Sequence, residues 1–460
     1  MTEATELKES AAGEAGFIDR PRHTCALGGA LYALRALPRT VPVIHASPGC
    51  GYNVFSAVNA GAGHLGGGYC GGACWSSSNV TEQEIVFGGE DRLREQILTT
   101  MELLDGDLYV VVSGCMVEMI GDDIERVASE IKASPAPLLA VPTPSFRGNS
   151  SDGYDIVLRG LFEGLTRKGA RRERGLVNLL GLIPGQDVFY RGNLTELGRL
   201  LGLLGLKANT FFGEGETLDS IRRAGRAELT IRLSDVYGEG AAGFLERERG
   251  VRSVAAPMPV GAIQAAEFLR AAGEAAGIPK RRVDRVIADE EDRYYDYLER
   301  AADIVNDIDL QRYAAVVADV NYAPAASRFL AEELGWIPVL AAVTDPLDSE
   351  AKARALSRFR KGAGLPSPEV RFGVNASDMF RFWREVQRPQ PAGGRYRNPY
   401  TPGVLVGSVY ERELAEEAGW TLSVLSFPAT NRVVFQEARA GYNGGLSFAS
   451  DLFASLVSGR

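Results

Sequence analysis

The sequence predicts an α/β protein built from three doubly wound, Rossmann-like domains with mainly parallel sheets. Short apolar runs alternate with helical patterns from residue 41 to the end of the chain, as expected of strands buried between helices. The chain has 460 residues, 45% of them hydrophobic and 24% charged, which is enough material for several packed cores. We expect a flexible tail at residues 1–16, followed by α/β domains at residues 17–175, 176–300 and 301–460.

The tail and the overall charge exclude several classes of function. Residues 1–16 are polar and acidic and lack the basic and apolar regions of a signal peptide, so we expect a cytoplasmic protein. No run approaches the ~18 consecutive apolar residues that a membrane helix needs. The net charge of -9 argues against nucleic acid as a partner, because phosphate contacts require a basic face.

The first domain is predicted from a regular succession of elements. An apolar helical stretch ends at Pro38, and the run at residues 108–112 has the composition of a fully buried parallel strand. The predicted helices cover residues 23–37, 91–104 and 116–125, and the predicted strands cover residues 41–44 and 108–112. A further short strand is predicted between the proline-containing segments 134–137 and 143–148.

The second and third domains repeat this alternation. The basic run at residues 167–174 is a plausible boundary, although a solvated loop has the same composition. In the second domain, strands are predicted at residues 177–182, 207–212 and 227–233, and helices at 193–204, 261–276 and 283–305. In the third, strands are predicted at residues 313–319, 337–343, 404–406 and 422–425, with a surface excursion at 388–395.

All five cysteines lie in the first quarter of the chain, at positions 25, 50, 70, 74 and 115. Cys115 follows a predicted strand, at the edge where open α/β sheets bind their ligands. Cys50 also follows a strand, in a turn rich in proline and glycine whose backbone amides can approach an anion or a cluster. In a reducing cytoplasm, clustered cysteines are more often metal ligands or redox groups than disulfides.

Several alternatives stay open for the glycine-rich segment and its cysteines. The segment at residues 66–72 lacks the Gly-Lys-Ser/Thr ending of a phosphate-binding loop, so nucleotide binding is disfavoured. Cys70 and Cys74 could ligate zinc or one edge of an iron-sulfur cluster, or could simply be small buried residues. A cysteine hydrolase or acyltransferase would need one of the three histidines, His23, His45 or His64, as a partner.

Cys25, Cys50 and Cys115 each fall in a loop with glycine neighbours. Three thiolates do not complete the four-cysteine set of an ordinary cubane cluster. Either Cys70 or Cys74 supplies the fourth ligand, or a second polypeptide does. Three unrelated core cysteines are the remaining possibility.

Four motifs around these cysteines resemble the component 1 proteins of nitrogenase and nitrogenase-like reductases. They are Cys25-x-x-Gly28-Gly29-Ala30, His45-Ala46-Ser47-Pro48-Gly49-Cys50, the segment at residues 81–89 and the segment at residues 115–123; a Gly-Tyr-Asn-Gly-Gly sequence at residues 441–445 is a further likeness. The resemblance implies that Cys25, Cys50 and Cys115 are this subunit's ligands to an [8Fe-7S] P-cluster. The other three ligands would then come from a partner subunit.

The resemblance also indicates which subunit this is. Thr143-Pro144-Ser145-Phe146 resembles the β-type segment whose serine joins the oxidised P-cluster, so Ser145 is a candidate redox-dependent ligand; a plain turn residue is the alternative. The α-type subunit binds the catalytic cofactor through a later cysteine and histidine, whereas here no cysteine follows residue 115 and no histidine follows residue 64. We therefore expect a cofactor-free β-type subunit with no catalytic residue of its own.

The family implies an α2β2 heterotetramer with an α-type catalytic subunit and a transient, ATP-hydrolysing iron-sulfur reductase. Residues 45–52 and 85–89 nevertheless resemble the α-type pattern, and the glycine-rich stretch with Cys70 and Cys74 matches neither type. These departures favour methylthio-alkane reductase, which cleaves carbon-sulfur bonds to release methanethiol and a hydrocarbon. A dinitrogen-reducing nitrogenase and a cofactor-assembly scaffold are the alternatives; protochlorophyllide reductases, with a simpler cluster, are less favoured.

Overall fold

The computed structural model describes residues 19–63, 75–132, 134, 136–307, 309–359, 367–387 and 400–458. Three sheets, each entirely parallel, follow one another along the chain with helices between their strands. The predicted fold class is confirmed. The predicted tail, Cys70, Cys74 and the excursion at 388–395 lie outside the described residues.

The first sheet carries the segments that contain the cysteines. Its strands are β1 (Thr40–His45), β2 (Ser76–Ser77), β3 (Leu108–Ser113) and β4 (Leu138–Val141), in the order β2-β1-β3-β4. Every residue of β3 is buried, as its apolar run predicts. The helices of this part are α1 (Ala26–Ala36), α2 (Pro48–Gly61), α3 (Glu82–Phe87), α4 (Glu90–Leu103), α5 (Cys115–Ile120), α6 (Ile124–Glu130) and α7 (Ser150–Leu165).

The second sheet has the order β6-β5-β7-β8. Its strands are β5 (Leu176–Leu180), β6 (Lys207–Asn209), β7 (Leu229–Arg232) and β8 (Arg252–Ala255). The helices around it are α8 (Tyr190–Leu203), α9 (Leu218–Arg223), α10 (Glu239–Arg249), α11 (Gly261–Ala275), α12 (Lys280–Glu299) and α13 (Ala301–Asp307). The strand order places β6 on one side of β5 and β7 on the other, which is the doubly wound arrangement.

The third sheet has the order β11-β10-β9-β12-β13. Its strands are β9 (Tyr313–Ala318), β10 (Ile337–Val343), β11 (Glu369–Phe372), β12 (Gly403–Gly407) and β13 (Thr421–Val424). The helices of this part are α14 (Tyr322–Glu332), α15 (Ser349–Phe359), α16 (Ala376–Val386), α17 (Arg412–Ala418) and α18 (Gly441–Ser458). Helix α18 packs against α8, α11 and α12 as well as near β13. The end of the chain therefore ties the third sheet to the second.

Two glycines let α1 and α7 cross in backbone contact. A Cβ atom on Gly29 would lie 1.8 Å from the carbonyl oxygen of Ser150, and one on Gly153 would lie 1.8 Å from that of Ala26. No side chain fits at either position, because real atoms do not approach this closely. The crossing fixes the start of α1, and with it Cys25, against Asn149.

The structure differs from the predicted elements where strands are short or lie at sheet edges. Strands β2, β8 and β11 were not predicted: β2 has only two residues, and β8 and β11 are edge strands with charged residues in them. The helix after Cys115 ends at Gly121, whose φ of +85° leaves the helical conformation, instead of continuing to residue 125. The helix predicted at 283–305 begins earlier and is two helices, α12 and α13.

Candidate functional site

Cys25 is the N-cap residue of α1 and is partly buried. Burial raises the pKa of its thiol above the usual value, while the backbone amides of Gly28 and Leu27 lower it. Negative charge on Cys115 and Cys50 raises the same pKa further, so the three sulfurs are close enough to interact electrostatically. The structure thus brings together the three cysteines that the sequence separates by 25 and 65 positions.

Cys50 lies in the first turn of α2, whereas the sequence predicted a non-helical turn here. Pro48 stands in the first turn of the helix, where its missing N–H is not needed, so the helix begins before the cysteine. The Ser47 hydroxyl is 3.6 Å from the Cys50 sulfur. A Cβ on Gly114 would lie 3.7 Å from that sulfur, so Cys50 approaches the chain directly before Cys115.

Cys115 is the first residue of α5, immediately after β3, and it lies beside Ser145. The backbone N–H of Ser145 donates a hydrogen bond to the Cys115 sulfur at 3.0 Å, and the Ser145 hydroxyl is 2.7 Å from the same sulfur. The structure therefore places the fourth residue of the predicted site next to one of the cysteines.

The three cysteines share one local environment, the amino terminus of a helix. Unpaired N–H groups and the helix dipole favour negative charge at such a position, which suits thiolates and an anionic iron-sulfur group. All three are free thiols and partly buried. Within the described ranges, no three His, Cys, Asp or Glu side chains come close enough together to hold a single metal ion.

Behind the cysteines lies a buried hydrogen-bonded group that the sequence did not single out. The Nε2 atom of His45 is 2.9 Å from the Asp122 carboxylate, and its Nδ1 atom is 2.9 Å from the Ser78 hydroxyl. Burial lowers the pKa of His45, and the Asp122 carboxylate opposes that shift. The family motifs include His45 and Asp122, but positions 45, 78 and 122 are too far apart in the sequence for their contacts to be predicted from a pattern.

Neither described histidine is hydrogen-bonded to a cysteine. His23 is largely buried, its Nε2 is 3.3 Å from the carbonyl of Thr344, and its Nδ1 accepts from Gln186 at 2.9 Å. Burial lowers the pKa of His23 to about 4, so the ring is neutral at physiological pH. His64 lies outside the described residues. The bonds of His23 and His45 give no support to a cysteine-histidine hydrolase.

Large apolar side chains around the cysteines are exposed to solvent. This apolar rim consists of Tyr52, Val86, Phe87, Met116, Met119 and Phe146. Phe87 is 84% exposed and Met119 73%, and the helices that carry them, α3 and α5, pack together. Exposed apolar patches of this kind mark surfaces that bind other molecules.

Comparison with known proteins decides the family. A protein-family model described as nitrogenase component 1 type oxidoreductase matches residues 25–456. The chain belongs to the nitrogenase component 1 family. It is therefore an oxidoreductase subunit, and the family predicted from the cysteine motifs is confirmed.

Several of its relatives within the family are β chains. The nitrogenase molybdenum-iron protein beta chain of Sinorhizobium fredii (strain NBRC 101917 / NGR234) is 30% identical over 479 residues, covering 98% of this chain and 86% of that protein. The nitrogenase vanadium-iron protein beta chain of Trichormus variabilis is 25% identical over 487 residues, covering 99% and 97%. The predicted β-type character agrees with both.

A solved structure supports the fold. The structure described as nitrogenase Cp1 at pH 6.5 matches with a TM-score of 0.73 at 19% sequence identity, covering 97% of this chain and 96% of that one. Across the described part of the chain, no helix combines the length and apolar character needed to cross a membrane.

Proposed function

We propose that this chain is the β-type subunit of a nitrogenase-like reductase complex. In this proposal Cys25, Cys50 and Cys115 hold one half of an interfacial [8Fe-7S] P-cluster, and an α-type subunit holds the other half. The observation that carries the proposal is that three free thiols stand at three helix amino termini, with Cys50 and Cys115 near enough to Cys25 to raise its pKa. When bound, such a cluster supplies reversible electron transfer.

The residues of this chain would bind and tune the cluster. The amides at the starts of α1 and α2 stabilise added negative charge, which is one way in which a protein sets the potential of an iron-sulfur centre. Ser145 offers a hydroxyl 2.7 Å from the Cys115 sulfur. A serine oxygen binds iron better once it is deprotonated and the iron is more oxidised, so we assign Ser145 to the oxidised state only.

The apolar rim would serve two partners. Met116 and Phe146 directly follow Cys115 and Ser145 in the chain, so we assign them to the permanent α-type partner in an α2β2 heterotetramer. We assign α3, with Phe87, to a transient ATP-hydrolysing iron-sulfur reductase. A transient docking site must keep its shape when no partner is bound. None of the residues of α3 is buried, but the Thr81–Glu84 capping box stabilises this helix locally.

The chain itself would lack the catalytic cofactor, in keeping with its histidine and cysteine content. At the junction between the second and third sheets, the hydroxyl of Tyr237 donates to Asp345, which also accepts from the backbone N–H of Val320 at 2.6 Å. Electrons would therefore leave this subunit for a cofactor in the α-type chain. We place the cluster domain at residues 17–175, the other two domains at 176–300 and 301–460, and the complex in the cytoplasm.

For the substrate, we favour the reductive cleavage of carbon-sulfur bonds by a methylthio-alkane reductase. The hybrid α-type and β-type motifs and the unusual segment with Cys70 and Cys74 support a branch distinct from dinitrogen-reducing enzymes. Dinitrogen reduction is the second candidate, favoured by the 30% identity to a molybdenum-iron protein beta chain. A cofactor-assembly scaffold is the third, although a scaffold has less need of all three cysteines.

The test is turnover by the purified complex with reductase, ATP and dithionite. Dimethyl sulfide, 2-methylthioethanol and dinitrogen are supplied separately, and methanethiol, hydrocarbon and ammonia are quantified by gas chromatography and ammonia assay. We expect methanethiol with a hydrocarbon. Ammonia without methanethiol would contradict the substrate assignment and leave the cluster assignment intact, whereas transfer of a cofactor without any turnover would identify a scaffold.

A further inference from the structure

Asp122 joins three segments that surround the cysteines. Its side chain is only 4% exposed. The carboxylate accepts the backbone N–H of Gly89 at 3.0 and 3.1 Å and lies 2.9 Å from Nε2 of the fully buried His45. A carboxylate that is fixed by several donors in a buried place holds those donors in one relative geometry.

One branch of this network leads to Cys50. With Nε2–H of His45 donating to Asp122, the Nδ1 atom accepts from the Ser78 hydroxyl at 2.9 Å. The Ser78 oxygen in turn accepts the backbone N–H of Ala46 at 3.3 Å. Ala46 directly precedes the cap of α2, the helix whose first turn contains Cys50.

A second branch leads to Cys115. The backbone N–H of Asp122 donates to the carbonyl of Val117 at 3.1 Å and so closes the end of α5, the six-residue helix that begins with Cys115. A shift of Asp122 therefore displaces a helix only two turns long that has a cysteine at its other end.

The third branch leads to the exposed helix α3. Gly89 follows this helix by two residues, and a Cβ there would lie 2.6 Å from the Asp122 carboxylate and 3.0 Å from the ring of His45. Phe87 stands in solvent just before it. The peptide of Gly89 is thus packed directly on Asp122 and His45, so a displacement of α3 that carries Gly89 with it also moves against these two side chains.

We propose that Asp122 is a positioning residue that transmits contact made at α3 to both cysteine-bearing segments, through His45 and Ser78 to Cys50 and through the end of α5 to Cys115. Docking of a partner on Phe87 then changes the placement of two cluster ligands. This rests on the proposed function, in which α3 receives the reductase and the cysteines hold the cluster.

The test uses Asp122→Asn in the complex with the α-type partner, with Glu125→Gln as a control. Asparagine has the same shape as aspartate but only one acceptor oxygen. If that oxygen accepts from both Gly89 and His45, the amide NH2 group must face the N–H of Gly89, which is also a donor. Glu125 is exposed on the neighbouring helix, and its replacement removes the same charge. Iron content, reductase affinity and the rate of the first electron transfer are measured for each complex. Amide hydrogen exchange of residues 43–50 and 115–120 is measured with and without the reductase locked on the complex by ADP and aluminium fluoride.

In the wild-type complex and in Glu125→Gln, we expect docking to alter exchange in both segments. In Asp122→Asn, we expect iron content and reductase affinity to stay within about threefold of wild type, the exchange response to disappear from both segments, and electron transfer to slow about tenfold, as for other residues that orient metal ligands. Ser78→Ala breaks only the branch to Cys50, so it should lose the response at 43–50 and keep it at 115–120.

Distinct results separate the two proposals. An Asp122→Asn complex that keeps the wild-type exchange response and rate would overturn the positioning role, and so would a Ser78→Ala complex that responds equally in both segments. If the Asp122→Asn complex loses its iron, the exchange responses of the Ser78→Ala complex at residues 43–50 and 115–120 test the positioning role instead. A wild-type complex that binds no iron or no reductase would overturn the proposed function and this inference with it.

Discussion

Replacing Gly153 by alanine should disrupt the site from a distance, by forcing α1 and α7 apart. The new Cβ would lie 1.8 Å from the carbonyl oxygen of Ala26, which is a backbone atom and cannot rotate away. Overpacking of a tight contact lowers the free energy of unfolding by about 1–3 kcal/mol, and we expect about 3 kcal/mol for a contact this short. Alanine regains about 1 kcal/mol of helix propensity, so the net loss of stability is about 2 kcal/mol.

The functional consequence follows because the residue next to Ala26 is Cys25. A displacement of α1 moves this cysteine relative to Cys50 and Cys115, so the Gly153→Ala complex should also bind less iron. Urea unfolding of the chain and iron content of the complex measure the two effects. Gly202→Ala is the control: a Cβ there meets nothing within 4 Å, and it should be neutral or stabilising with full iron content. A Gly153→Ala protein as stable as Gly202→Ala, with full iron, would refute this reasoning.

Three further predictions follow from single side chains. Ser145→Ala should leave the reduced cluster intact and change the spectrum or potential of the oxidised one; identical redox titrations of mutant and wild type would remove Ser145 from the ligand set. Phe87→Ala should weaken reductase docking about tenfold, in the range of an exposed aromatic anchor, without loss of iron. Leu103→Ala, also strongly exposed but on α4, should not weaken it. Burial raises the pKa of Asp187 from 3.8 to about 7, so the folded protein holds this proton more tightly than the unfolded chain, and stability should fall as the pH rises from about 4 to 7. Asp187→Asn should make that part of the pH profile of urea unfolding less steep, while Asp319 and Asp345, whose pKa values burial also raises, keep the rest of the slope. An unchanged profile would show that Asp187 is ionised in the folded protein.

Much of the fold was predictable because buried parallel strands have a strong local signature. The run at residues 108–112 is apolar throughout, and the structure buries every residue of β3. Edge strands lack that signature: β8 and β11 carry charged residues, and neither strand was predicted. The return of α18 to the second sheet also could not be predicted, since it depends on packing between segments more than 150 residues apart.

The candidate site divides in the same way. The cysteines could be found from their clustering and from the family motifs, because ligand residues are rare and chemically distinctive. The hydrogen-bonded group formed by His45, Ser78 and Asp122 could not be found, because its members are far apart in the sequence and meet only in the folded chain. The helical environment of Cys50 was also missed, since the Pro-Gly sequence before it is as typical of a turn as of the start of a helix.

The shared cluster is tested most directly by iron and sulfide assay of the purified chain, alone and in complex with its α-type partner. We predict little stable iron in the lone chain and a P-cluster-like centre in the complex. That centre should be lost on replacing Cys25, Cys50 or Cys115 by alanine and retained in Cys70→Ala and Cys74→Ala. A complete four-iron cluster in the lone wild-type chain, abolished by Cys70→Ala or Cys74→Ala, would contradict the account.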